Sequence, residues 1–137
     1  MKNFMRILSL TFVSLLFFSP AVMAAGPTYA SLVDQLNPNK NTKLQLKEIW
    51  KKYKGEEVTW SGTVVEVKGG RKSATIYLSD TSRKSYNKYN ITVSVNDKER
   101  AAKLNRGQKI RVKGALYDFD HHSNGSTTID LKPGEVL

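Results

Sequence analysis

From Glu56 onward, hydrophobic and polar residues alternate with a period of two. Val58, Trp60, Gly62 and Val64 share one face and Thr59, Ser61 and Thr63 the other, the pattern of a strand with one buried side. At Val64-Val65 the alternation slips by one, and Val65 and Val67 carry the apolar series onward. A slip of phase inside a long strand predicts a bulge or sharp coil, which lets one strand serve two sides of a small barrel. KGGRKS (68–73) reads as a turn. Ala74, Ile76 and Leu78 then alternate with Thr75, Tyr77 and Ser79 as a second strand, and Ile91, Val93 and Val95 with Thr92 and Ser94 as a third. Residues 96–108 predict one or two helical turns, capped by Asn96 or Asp97 and stopped by Gly107. In a fourth strand Ile110, Val112, Gly114 and Leu116 point inward, against Arg111, Lys113 and Tyr117. DFDHHSNGS (118–126) reads as a loop, and Thr128, Ile129 and Leu131 as a short fifth strand ended by Pro133-Gly134.

Upstream of Glu56 the period is helical. Tyr29, Leu32, Val33 and Leu36 recur at i, i+3, i+4 and i+7 behind a Thr28 cap. After the NPNKN loop (37–41), Thr42 and Gln45 form a capping box, succeeded by an apolar stripe of Leu46, Ile49, Trp50 and Tyr53. Gly55 ends this second helix, and the two helices read as a lid packed on the strand region. The first residues have a different character: Lys2 and Arg6, an apolar run from Ile7 to Phe18, Pro20, and the short residues of AVMA (21–24). That is the make-up of a secretory signal peptide cleaved after Ala24, leaving no stable membrane insertion. The expected organisation is a signal peptide at 1–24, a helical N-terminal extension at 25–55 and a barrel at 56–137.

Five strands, the first long and phase-slipped, with a short helix between the third and fourth, describe a mainly β, five-stranded OB-fold barrel. An SH3-like barrel is the nearest rival, but it lacks the helix at that point and the two-sided first strand. The same residues carry a family likeness. Tyr53, Gly55, Val58, Gly62 and Val64 fill a Y-x-G-x-x-V-x-x-x-G-x-V opening, and Leu104, Gly107, Ile110, Val112 and Gly114 an L-x-x-G-x-x-V-x-V-x-G pattern with isoleucine for the first valine. Over roughly residues 45–132 the chain resembles the tRNA_anti-like group of small exported OB-fold proteins. The resemblance implies the fold and, by likeness to anticodon-binding barrels, nucleic-acid binding.

Charge sharpens the picture. The formal net charge of the whole chain is +10, or about +8 without Lys2 and Arg6. Such a field favours an anionic partner. There is no cysteine, so neither a disulfide nor a lipid-bearing thiol is available, and bacterial periplasm or secretion is the expected setting. Ligands of such barrels lie across the second and third strands. The candidate ligand residues are Arg71 and Lys72 in the first turn, Arg83, Lys84 and Lys88 in the hairpin TSRKSYNKYN (81–90), and Arg111 and Lys113 on the fourth strand. Tyr77 faces outward by alternation and is the first stacking candidate; Tyr86, in the hairpin, is the second. Tyr89 shares parity with Ile91 and is expected inward or at the rim, and Trp60 in the core.

Chemistry beyond binding finds little support. His121 and His122, flanked by Asp118 and Asp120, have the ligand types for a divalent ion, but adjacent side chains rarely reach one metal and no third ligand stands out. The acids Asp80, Asp97, Glu99, Asp118 and Asp120 do not form the acid-and-arginine pattern of a barrel nuclease, and no serine lies in a nucleophile elbow. The short helix and absent cysteine also disfavour a toxin-like ring. The sequence thus points to a non-catalytic, monomeric exported protein without a cofactor. Its partner is a single-stranded nucleic acid or another polyanion; an envelope protein is the alternative and a metal-dependent nuclease-like hydrolase a more distant one.

Overall fold

A computed structural model describes residues 26–137, so the signal-peptide reading lies outside the described residues. Two helices, α1 (Tyr29–Gln35) and α2 (Lys43–Tyr53), precede the strands β1 (Glu57–Gly69), β2 (Ala74–Ser79), β3 (Ile91–Val95), β4 (Lys109–His121) and β5 (Thr127–Val136). A third helix, α3 (Lys98–Ala102), joins β3 to β4. The strands close in the order β1-β2-β3-β5-β4, with a parallel β3–β5 pair and every other pair antiparallel. This is the OB-fold barrel.

Closure depends on the phase slip in β1. Its first half, Glu57 to Thr63, pairs with β4, and its second half, Thr63 to Gly69, with β2. Between Val64 and Glu66 the register to β2 shifts, and Val65 is the extra residue. Val65 therefore does not continue the core series. The bulge turns it outward, while Val67 packs against the core.

Both ends of the cylinder are covered. Ala101 of α3 is fully buried, and Leu104 just after it packs on the core at one end. At the other end α1 presents Tyr29, Leu32 and Leu36, all buried. Thr28 caps that helix through the Ser31 amide, and the Tyr29 hydroxyl donates to the Thr127 carbonyl at 2.8 Å. Tyr29 also meets the edge of Trp60, whose indole N–H donates to the Pro27 carbonyl at 2.9 Å. Trp60 is a core residue. The Thr42–Gln45 capping box starts α2, which sets Trp50 against Phe119. Gly55, at φ +87°, turns the chain into β1 and donates its amide to the Leu116 carbonyl. Helices and barrel thus share one apolar core.

The last two strands exceed expectation. β4 runs on to His121, so residues 118–121 are strand and the loop shrinks to 122–126. β5 continues past Pro133 to Val136. Proline has no N–H for a ladder, and both ladders step over it: β3 pairing jumps from Leu131 to Gly134, and β4 pairing shifts between the same two positions. Gly134 is required there because a Cβ would stand 2.4 Å from Cγ1 of Val93. Gly134→Ala is expected to destabilise the protein by about 1–3 kcal/mol through overpacking, read as a lower urea midpoint at unchanged m-value.

Candidate nucleic-acid interface

Outward alternation on β1 and β2 places Tyr77 beside Lys68, with the Lys68 ammonium 5.3 Å from the ring centroid. The chain then leaves β2 through the hairpin at 81–90 and returns over this surface. Asn90 anchors its base. The Asn90 side chain is buried, accepts from the Asp80 amide and donates to the Asp80 carbonyl, both at 2.7 Å. With Asn90 buried, Tyr89 turns outward and meets Tyr77 edge to face, the centroids 4.7 Å apart. Of the two positions expected for Tyr89, inward or at the rim, the inward one fails because the alternation of β3 does not extend past Asn90; the ring is half-buried.

The hairpin tip is held as well. The Tyr86 amide donates to the Ser126 hydroxyl at 2.9 Å, and the Asn124 side-chain amide to Asn87 Oδ1 at 2.9 Å. These bonds lace the tip to the loop before β5. Tyr86 remains 65% exposed, a large ring free on one face, with Lys84 at 4.9 Å from its centroid. Together Val65, Lys68, Tyr77, Tyr86, Lys88 and Tyr89 line a cleft of about 750 Å3, with Glu66 and Arg106 also in its lining. Arg106 arrives after α3 because the turn at Gly107, φ +83°, brings the Gly107 amide to the Val64 carbonyl. It pairs with Glu66, whose carboxyl it holds below the ordinary range by hydrogen bonding.

Of the nine candidate residues, Tyr77, Tyr86 and Lys88 line this cleft, and Lys84 stands over Tyr86 at its edge. The other five lie elsewhere. Arg83 turns back to α1 and binds Asp34 through two guanidinium nitrogens, an exposed pair in which hydrogen bonding lowers the carboxyl pKa. Lys113 pairs with Glu57 at 3.3 Å, Arg111 lines a separate groove, and Arg71 and Lys72 are exposed in the β1–β2 turn. Sequence reasoning missed Lys68, assigned to a turn, together with Tyr89 and Arg106. The bulge at Val65 was the one available signal for Lys68.

Charge is distributed unevenly around the cylinder. Asp118 and Asp130 are cross-strand partners on β4 and β5, with Asp120 two residues along. Burial, then the nearby Asp118 and Asp120 charges, push the Asp130 carboxyl up against the lowering effect of the Thr92 hydroxyl. These acids gather on β4 and β5, and Asp130 bonds Thr92, the β3 partner of Tyr77.

The two histidines bind threonines. His121 Nδ1 lies 2.8 Å from Thr127 Oγ1, and His122 Nε2 lies 2.8 Å from Thr128 Oγ1. Among the described residues no three His, Cys, Asp or Glu side chains converge on a point that would hold a metal. His121 Nε2 is buried; the Leu36 carbonyl favours the charged ring, but Nε2 forms no well-made hydrogen bond. Burial lowers the His121 pKa, outweighing the attraction of Asp120. The unfolded chain then takes up the proton more readily than the folded one. Stability is complete above about pH 6.5 and is lost as pH falls from there towards the folded value. Urea midpoints at pH 7.5 and 5.5 are expected to differ in that sense, and His121→Gln to reduce the difference.

The tRNA_anti-like family profile matches residues 45–123. No curated protein matches the chain. Among solved structures, a candidate nucleic acid-binding lipoprotein of Klebsiella pneumoniae is 14% identical at a TM-score of 0.50, covering 80% of this chain and 88% of its own. Asparaginyl-tRNA synthetase of Pyrococcus horikoshii is 19% identical over 63% of this chain at a TM-score of 0.44, and this chain spans 20% of the synthetase. A mitochondrial single-stranded DNA-binding protein of S. cerevisiae is 13% identical over 61% of this chain and 95% of its own, at a TM-score of 0.39. At these identities the likenesses concern the fold.

Proposed function

The chain belongs to the tRNA_anti-like family, and from that premise we propose that it is an exported, non-catalytic OB-fold protein that binds single-stranded nucleic acid in the tyrosine cleft. The observation that carries this reading is the convergence of Tyr77, Tyr86 and Tyr89 with Lys68 and Lys88 in one cleft. A single-strand site needs flat rings for bases and cations that track the phosphates. Neither Lys68 nor Lys88 is in an ion pair among the described residues, so both ammonium groups are available to phosphate. Stacking is indifferent to base identity because every base has a π-face, so the expected ligand is a class of strand and not one sequence.

Arg71, Lys72 and Lys113 act in this reading through the long-range field, speeding encounter without touching the bases, and Lys84 adds its charge beside Tyr86. Arg83 has a structural part, tying the hairpin to α1. Export is supported by the N-terminal pattern of Lys2, Arg6 and the apolar run after them.

The test is a titration of a fluorescent oligothymidine across a salt series. The logarithm of affinity should fall linearly with the logarithm of salt, losing about 0.7 in slope for each phosphate neutralised. Lys68→Ala/Lys88→Ala should flatten that slope by roughly 1 to 2. Absence of binding at low salt, with the protein instead recovering a defined envelope partner, would establish the protein-interaction reading in its place.

A further inference from the structure

We propose that the ligand track continues beyond the tyrosine cleft, past α3, into a second groove where Arg100, Lys103, Lys109 and Arg111 hold the phosphates of a longer single strand. This rests on the nucleic-acid reading above and adds a second, ring-free segment to it.

The groove lies between α3, the start of β4 and the end of β5, with a volume of about 480 Å3. Its four cations come from two elements, Arg100 and Lys103 from α3 and its cap, Lys109 and Arg111 from β4. No acidic side chain lines it, and none of the four cations is in an ion pair among the described residues. Unpaired like charges around one depression repel one another in the folded protein, and a polyanion relieves that repulsion while releasing its own counterions. The floor is apolar: Ile110 and Val136 are buried there, and Leu137 stands half exposed. Without an aromatic ring this floor accepts sugar and base faces but provides no stacking platform, so phosphate contacts dominate.

Both depressions border one recess, which Glu66 and its partner Arg106 also line. Arg106 lines both the tyrosine cleft and a recess of about 270 Å3 under α3, and Leu104 lines that recess and the basic groove. Leu104 and Arg106 are two residues apart, so their Cα atoms are at most about 7 Å apart. Beyond Arg100 the next recess is lined by Asp97 and Glu135, which repel phosphate and end the track. An acyl-chain anion such as a phospholipid would match the groove's charge and floor but not its continuity with the rings, and so is an outcome for the test.

Anisotropy titrations of the full chain with oligothymidines of about 4 and about 12 nucleotides separate the two segments. The wild type should bind the longer strand about ten-fold more tightly or better, and Lys103→Glu/Lys109→Glu should abolish that gain while leaving the shorter strand within about two-fold. The exposed pair Lys43→Glu/Lys47→Glu on α2, with the same charge change, should keep the gain. Equal weakening of both strands by Lys103→Glu/Lys109→Glu, or no weakening of the longer one, overturns the track. So does binding to phosphatidylglycerol vesicles that this variant abolishes while the length gain survives. If the shorter strand binds but length adds nothing, the track fails and the cleft stands; if neither strand binds the wild type, both fail.

Discussion

Tyr77→Ala should weaken binding of oligothymidine by about five- to hundred-fold, the equivalent of about 1–3 kcal/mol for one stacked base. The substitution removes a ring whose face is flanked by Lys68 at 5.3 Å and whose position fixes Tyr89 at 4.7 Å. Both neighbours lose their support, so the loss should lie towards the upper end of that range. Tyr77→Phe keeps the ring, and the Tyr77 hydroxyl makes no hydrogen bond among those described, so binding should stay within about two-fold. Tyr77 is only partly buried on the outside of the cylinder, and the alanine variant should therefore fold normally. A loss shared equally by Tyr77→Phe would mean that the hydroxyl, and not the ring, makes the contact.

The largest effect on stability is expected inside the N-terminal cap. Leu32→Ala should lower unfolding free energy by about 2–5 kcal/mol, measured by urea denaturation, because Leu32 is fully buried and its loss leaves a cavity. The helix around it has seven residues and cannot persist in water by itself. Docking alone maintains it, through Tyr29, Leu32 and Leu36 over the barrel mouth. By contrast Asp34→Ala removes an exposed ion pair with Arg83 and should leave the midpoint nearly unchanged. A small effect of Leu32→Ala would show that the cap is separable from the barrel.

The two effects meet at one place. The loop before β5 adjoins strand residues that α1 and the histidines touch, since Thr127 accepts from Tyr29 and bonds His121. The neighbouring Ser126 and Asn124 hold the hairpin that carries Tyr86. The cap and the hairpin that carries Tyr86 are thus tied to adjacent residues, Thr127 and Ser126.

Legibility in the sequence depended on which forces act locally. Strand alternation, the Thr42–Gln45 capping box and the slip at Val64-Val65 are written in neighbouring residues, and each is present in the fold. The end of β5 was misread because Pro133-Gly134 is ordinarily a stop signal. Here the glycine is needed for close approach to Val93, and both ladders skip the proline. The site was half legible. Tyr77 faces out by simple parity, and Tyr86 and Lys88 belong to a hairpin at the expected end of the sheet. Tyr89 was not legible, because its direction depends on the buried Asn90 bonding to Asp80 ten residues earlier. Arg83 looked like a ligand residue because its partner, Asp34, is 49 positions away and belongs to another element. Arg106 reaches the cleft only through the pairing of Gly107 with the bulged part of β1.

Two-dimensional amide NMR of the protein during titration with an unlabelled oligothymidine tests the central claim most directly. Ligand-induced shifts should concentrate at residues 65–68, 77, 86–89 and 106, and spare the acidic Asp118–Asp120 side of β4. Shifts centred on that acidic side or on α1 and α2, or no shifts at low salt, would contradict it.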